Sequence, residues 1–371
     1  MIRKIGVYMV CCMISWLVAG QALAVCPNYS SALDLGRYVA GQAASTLDQD
    51  WKAGECIVLT NAGYARPDGE PSQGCLDGVA DITGASVGQS SLISLQSRFD
   101  KPLWFAFFDR SSGRCAYYEL QDELAGKALN GDGALDEKLF SRTDVARIDA
   151  ETLFAEPEAF KARCRKGLFG QNVFRVVTVA NAADRDCPNQ ALKAMQVHDH
   201  YCPGVTSGIM LASFVQEHIL KGSSQAECYV LSLDPWCKED ALTTLLNATP
   251  GKRAYGVVYP EEGDVDTWPE PMNKVSTVVF VKHGEDKAWH GWLLSFDFDK
   301  ARSMQDLTSY GFFVLDKLAS DLWFLDQLDS PETFVSVVKE VELEQGVSPK
   351  TFLRPGSDPL PMLAGMDDVM D

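Results

Sequence analysis

The sequence predicts an α+β fold: two tandem, related α/β-layer repeats, each ordered helix, strand, helix, several strands, packed as an internal pseudo-dimer. Three observations point there. The chain of 371 residues repeats a set of short motifs in one order, each copy switches from helix-period to strand-period apolar spacing, and each copy is long enough to bury a core.

The repeat rests on four matches. Cys26-Pro27-Asn28-Tyr29-Ser30-Ser31 aligns with Cys202-Pro203-Gly204-Val205-Thr206-Ser207, and Glu55-Cys56-Ile57-Val58-Leu59 aligns with Glu227-Cys228-Tyr229-Val230-Leu231. Cys75 and Gly88 pair with Cys237 and Gly251, and Glu156-Pro157-Glu158-Ala159-Phe160 pairs with Ser330-Pro331-Glu332-Thr333-Phe334. Order and separation both persist, so tandem duplication is expected. The one shortening, between the second and third pairs, falls in the first copy's loop Asn61 to Gln73, rich in Gly, Pro and Asp.

The elements follow in order. Met1-Ile2-Arg3-Lys4, the apolar run Ile5 to Gly20 and Ala22-Leu23-Ala24 form the pattern of a secretory signal with its cleavage box, so residues 1–24 are expected to be removed and the chain exported to a periplasm. The apolar run is short for a bilayer span of roughly 20 residues. Leu23-Ala24-Val25-Cys26 resembles a lipobox, but Val25 is bulkier than the usual small residue, which ranks simple cleavage ahead of lipid attachment. Leu33 to Leu47 and Val205 to Leu220 have the spacing of amphipathic helices, and the prolines after Cys26 and Cys202 suit first helical positions. Strands follow at 55–60 and 227–233. Second helices begin near Cys75 and Cys237 and stop at Gly84 to Gly88 and at Thr249-Pro250-Gly251. Strand-rich runs come next: Ser91 to Leu95, Leu103 to Phe108 and Cys115 to Leu120, then Ala254 to Tyr259, Val275 to Val281 and Trp292 to Phe298. Asp109-Arg110-Ser111-Ser112-Gly113 reads as a hairpin turn. Residues 131–167 and 305–347 carry the remaining helical signal and are expected to be repeat-specific appendages. From Arg354-Pro355-Gly356 the chain is Pro-rich and then acidic, a tail expected to be loose at its end. The boundaries are a signal at 1–24, a first repeat at 25–185, a second at 186–353 and a tail at 354–371.

The formal charge is −18, and losing Arg3 and Lys4 with the signal makes it −20. No cluster of Lys or Arg could neutralise phosphates, which excludes nucleic acid as a partner. A metal ion or small molecule is the expected partner, with the chain soluble after signal cleavage. Of eleven cysteines, Cys11 and Cys12 leave with the signal and nine remain. Disulfides are the ordinary expectation in an oxidising compartment, and with an odd count at least one thiol must be free, metal-bound or paired outside the chain. Cys56 and Cys228 fall in predicted strands as buried free thiols. Cys115, Cys164 and Cys187 have no repeat partner and read as structural or disulfide-forming.

The densest chemistry is Val197-His198-Asp199-His200-Tyr201-Cys202-Pro203-Gly204. His198, His200 and Cys202, spaced i, i+2, i+4, share one side of an extended segment. Imidazole and thiolate suit zinc, and a tetrahedral site needs three or four such ligands; the fourth candidate is Cys237, after Asp234-Pro235-Trp236. Cys202 and Cys237 both stand at predicted helix starts, where the positive helix end lowers a thiol pKa. In the first copy Cys26 and Cys75 survive, but Ala22 and Ala24 stand where the histidines would be, so one complete site and one degenerate partner are expected. A Cys202–Cys237 disulfide with incidental histidines is the alternative. His218, His283 and His290 read as ordinary solvated or hydrogen-bonded histidines. Glu239 and Asp240 are the candidate catalytic acids, able to act as a general base or to orient a metal-bound histidine, although acids in a first helical turn also suit the helix dipole. Lys252 and Trp236 are candidate contacts for a small cofactor.

These residues resemble the FmdE-like family of formylmethanofuran dehydrogenase components, in which a His-x-His-x-Cys-Pro-Gly segment opens a helix, here His198 to Gly204. The family's next landmark, a cysteine followed three residues later by aspartate, is matched by Cys237 and Asp240, and its Gly-Lys turn by Gly251-Lys252. The resemblance covers residues 190–300, with Cys26 to Leu120 as a weaker second copy. It implies an α+β fold that pairs with itself, hence a homodimer, and a zinc site (Zn2+) at the histidine and cysteine positions named. The chain departs from the family in having Ala248 where a cysteine often precedes Gly-Lys, and in lacking a C-terminal zinc ribbon with paired cysteines. Export also argues against a methanofuran-dependent cytoplasmic complex. The expected function is that of an exported metal-binding protein holding one zinc-type ion and handling or sensing a metal or small cofactor. A zinc-dependent hydrolase and a thiol redox protein using Cys202 and Cys237 are the alternatives.

Overall fold

The computed structural model describes residues 28–222, 226–259, 267–268, 270–284 and 287–369. The expected signal at 1–24 and Cys26 lie outside the described residues. Two five-stranded mixed sheets share one topology. β1 (Cys56–Thr60), β2 (Leu92–Ser94), β3 (Trp104–Asp109), β4 (Arg114–Leu120) and β5 (Phe140–Arg147) form the first in the order β2-β1-β3-β4-β5. β6 (Glu227–Leu233), β7 (Tyr255–Val258), β8 (Val275–Lys282), β9 (His290–Phe296) and β10 (Val335–Glu342) form the second in the equivalent order β7-β6-β8-β9-β10. In each sheet one pair is parallel, β1 with β2 and β6 with β7, and the other neighbours are antiparallel. The register repeats as well. Val58 faces Leu92 and Phe107 as Val230 faces Tyr255 and Val279.

The helices are α1 (Tyr29–Leu47), α2 (Gly74–Thr83), α3 (Asp122–Leu129), α4 (Ala150–Ala155), α5 (Pro157–Arg165), α6 (Val173–Asp184), α7 (Asn189–His198), α8 (Pro203–Phe214), α9 (Lys238–Leu245), α10 (Phe298–Met304), α11 (Phe313–Leu325) and α12 (Pro359–Ala364). The helices expected at 33–47 and 205–220 are α1 and α8, the latter finishing in a π-helical turn over Val215–Ile219. The expected hairpin closes at Gly113, whose positive φ of 67 suits glycine and whose N–H donates to the Asp109 carbonyl at 2.9 Å.

Strand alternation decides how the halves meet. Cys56 and Val58 point into a core beneath α1 and α2, while Ile57 and Leu59 point into a central core shared by both halves. In the second sheet Val230 and Val279, the register equivalents of Val58 and Phe107, face that same central core beneath α8 and α9. Sheet one therefore offers the face away from its helices, and sheet two the face that carries them, so the internal pseudo-dimer is a heterologous, head-to-tail pairing. Helix α6, buried from Val176 to Ala183, runs through the junction. It goes unassigned from sequence, although Arg175, Thr178, Asn181 and Asp184 recur along it at helical spacing.

Four expectations change. Residues 131–167 and 305–347 are not appendages, since they supply β5 and β10, the outermost strand of each sheet. Both are edge strands with few buried residues, which hides the apolar alternation. The fourth repeat match is not a structural one: Pro157 opens α5 after β5, whereas Pro331 opens a 3-10 turn before β10. The tail is docked over its described part. Leu360 and Leu363 are buried against the outer face of sheet two, and Lys339 Nζ donates to the Ala364 carbonyl at 2.9 Å. The eight described cysteines are all free thiols, Cys115, Cys164 and Cys187 included.

Candidate metal centre

Helix α7 ends at His198 because Asp199 turns left-handed, with φ 72, a conformation that a short polar side chain tolerates. The chain reverses at this point, so His198, His200 and Cys202 do not lie along an extended segment as expected. His198 hangs from the end of α7, while Cys202 immediately precedes α8 with Pro203 in the first helical position. Cys237 stands in the same relation to α9. The ligand atoms of His198, Cys202 and Cys237 all lie within 4.8 Å of one another, and His198 Nε2 is 3.9 Å from Cys202 Sγ. Behind the ring, His198 Nδ1 meets Asp240 Oδ2 at 2.7 Å. A carboxylate in that place fixes the tautomer and orientation of a metal-bound imidazole.

Two glycines let the helix starts approach. A Cβ on Gly204 would stand 2.8 Å from Cys237 Cβ and 3.2 Å from its Sγ, and one on Gly208 would stand 2.3 Å from the Lys238 carbonyl oxygen. His200 stands beside the three-residue group and not within it. Its Nδ1 lies 2.8 Å from Asp199 Oδ1, Arg175 Nη2 donates to the other oxygen at 2.7 Å, and its ring packs on Phe174 and His198 with centroids 5.0 and 4.3 Å away. With Cys202 and Cys237 it lines a cavity of about 600 Å³.

Charge in the group is divided unevenly. Burial pulls the His198 imidazolium down, but hydrogen bonds to Asp240 and Cys237, with their charges, outweigh it and leave the group at about 9. Cys237, hydrogen-bonded by Cys202 and then by His198, is drawn well down despite burial. Cys202 is pushed up by that same hydrogen bond and by burial.

Of the candidate acids, Asp240 reaches the group. Glu239 instead fixes the turn ahead of α9: its Oε2 accepts from the Trp236 N–H at 2.7 Å and its Oε1 pairs with the buried Lys238 at 2.9 Å. Trp236 lines the cavity, half exposed. Lys252 lies on the 3-10 turn Pro250–Lys252 beside Asn247, away from the cavity lining. His290 pairs with Glu340 at 3.0 Å and His218 packs on Phe214, both ordinary contacts. Sequence reasoning missed Arg175 and Phe174, which brace His200 from α6, and Asp321 on α11. Asp321 is fully buried and neither carboxylate oxygen has a partner among the described residues. Burial raises its pKa well above the usual carboxylate range, with the Lys317 charge opposing.

The first half differs at the matching place. Gly74 precedes Leu92 by as many residues as Cys237 precedes Tyr255, and a Cβ on Gly36 would stand 2.3 Å from the Cys75 carbonyl oxygen just as one on Gly208 would from that of Lys238. Cys75 therefore occupies the place of Lys238, and Gly74 that of Cys237. The expected pairing of Cys75 with Cys237 is one residue out of register. The Cys75 thiol is buried in the core, which pushes it up to about 12.

Fold and site together define an α+β protein with, among the described residues, one His/Cys group able to hold a metal ion. Residues 197–311, the stretch carrying that group, match the family model described as FmdE, Molybdenum formylmethanofuran dehydrogenase operon, so this segment of the chain is FmdE-like. Curated proteins give no match. Among the described residues no helix is long and apolar enough to cross a membrane.

Proposed function

We propose that this is an exported, FmdE-like metal-binding protein that holds one zinc-type ion on His198, Cys202 and Cys237 and handles or senses a metal or a small cofactor. The observation that carries the reading is the gathering of two thiols and an imidazole within 4.8 Å, with Asp240 behind the imidazole. Thiolate and imidazole are the donors that suit zinc. His198 is held by Asp240, and the two cysteines by the starts of α8 and α9. His200 is the remaining candidate ligand, positioned by Asp199 and Arg175. When bound, the ion supplies a fixed positive charge and a Lewis acid beside the cavity. Hydrolysis is the weaker reading, because Asp240 is engaged by His198 and Glu239 by the turn, leaving neither candidate free as a base. The signal-like pattern of residues 1–24 supports a periplasmic location, and the repeated topology supports tandem duplication.

A second reading, dithiol redox chemistry, is favoured by the lowered Cys237 thiol next to the free Cys202 thiol. Metal analysis of protein purified from its native compartment separates the two. The expected result is one zinc per chain, lost in His198→Ala and in Cys237→Ser and kept in Cys75→Ser. No bound metal together with a Cys202–Cys237 disulfide overturns the metal reading.

A further inference from the structure

The cavity beside the metal group is lined by two cations and, among the described residues, by no carboxylate, in a chain whose formal charge is −18. Lys317 and Arg302 stand on α11 and α10, and the lining also holds Gln305 and Ser320, joined by a 3.3 Å hydrogen bond in which the serine donates. Arg302 shares its charge with Asp299. Lys317 makes no ion pair among the described residues, and its ammonium lies 5.8 Å from the Phe313 ring. The rest of the wall is aromatic. Trp236 and Phe313 are 47% and 61% exposed, and each is braced by an inner ring, Phe298 at 5.4 Å and Phe174 at 5.1 Å between centroids. Two large rings open to solvent around one hollow of about 600 Å³ match a ligand site better than isolated surface residues.

We propose that this cavity binds a ring-bearing organic carboxylate, its ring held against Trp236 and Phe313 and its carboxylate held by Lys317, with Arg302 second. Aromatic walls favour a flat apolar body through stacked and edge contacts, and an ammonium freed from other partners gives the carboxylate a charge-assisted hydrogen bond. The proposal rests on reading His198, Cys202 and Cys237 as a metal centre, because Cys202 and Cys237 line the same cavity and a metal held there adds positive charge to its wall. The ligand then lies next to the metal, so that ligand and metal report on each other.

The test is calorimetric titration of the zinc-treated full chain with 2-naphthoate and with the neutral 2-naphthalenemethanol, with zinc content measured on the same samples. Naphthoate is expected to bind more tightly than the alcohol. Lys317→Gln is expected to weaken naphthoate about tenfold, the size of one lost hydrogen bond to a charged group, and to leave the alcohol unchanged. Trp236→Ala is expected to weaken both. Zinc bound without naphthoate binding overturns the proposal, as does equal naphthoate affinity in wild type and Lys317→Gln. Naphthoate binding that depends on Lys317 in a chain that takes up no zinc upholds the pocket and overturns the metal centre alone.

Discussion

Asp240 decides which nitrogen of His198 is offered to a ligand. With Nδ1 engaged by the carboxylate at 2.7 Å, Nε2 remains on the side of Cys202, and the ring is held where the two thiols meet. Asp240→Asn keeps the shape and removes the charge. It is expected to lower zinc affinity about 10–100-fold, as losing a partner behind a metal-bound histidine does, while the circular dichroism spectrum stays unchanged; competition against a chromophoric chelator measures it. Equal affinity in the variant would show that Asp240 serves only the dipole of α9. His198 and Cys202 could be picked out in the sequence because soft donors rarely crowd into so short a stretch, whereas Cys237 was reached through its match with Cys75, which the structure puts one residue out of register. The standing of His200 beside the group could not, because it follows from a left-handed Asp199 and from Arg175 reaching in from another helix.

At the level of elements, the site is a meeting of three helix ends, and Gly204 sets how closely two of them approach. Gly204→Ala places a methyl 2.8 Å from Cys237 Cβ, so either α9 retreats or the thiol turns away. Overpacking of this kind costs about 1–3 kcal/mol, and zinc affinity is expected to fall about tenfold or more. Gly251→Ala, with nothing within 4 Å of its added carbon, is the control that leaves affinity alone. Helix α1 was legible because its apolar residues repeat at helix period, helix α8 because Pro203 marks its start, and strands β1 and β6 because each is a short apolar run. The edge strands β5 and β10 were not, since they are too polar to show a period, and helix α6 was passed over although polar residues recur along it.

Across the whole molecule, the head-to-tail pairing builds one core from both halves and buries Asp321 within it. Burial raises the folded-state pKa of this carboxyl, so as pH rises from about 4 the unfolded chain gives up the proton first and stability falls. Asp321→Asn removes that dependence. It is expected to stabilise the fold at pH 7 by about 1.4 kcal/mol for each pH unit over which only the unfolded chain's carboxyl is ionised, and the gain is expected to shrink toward pH 4. Urea unfolding at the two pH values checks this; an equal effect at both would mean that the carboxyl is not ionising on unfolding.

The sequence by itself determined the α+β class, two related α/β repeats, the order of their principal helices and strands, and the crowding of His198, His200 and Cys202, because each of these is written in local spacing or in the order of short motifs. Tertiary structure alone decided the rest. Which face of each sheet meets the other half, which histidine joins the thiols, that Gly74 and not Cys75 matches Cys237, and that aromatic rings and a lysine line the cavity beside the His/Cys group all depend on residues far apart in the chain. Such contacts form only when α7, α8, α9 and α11 pack together, and no local period records them.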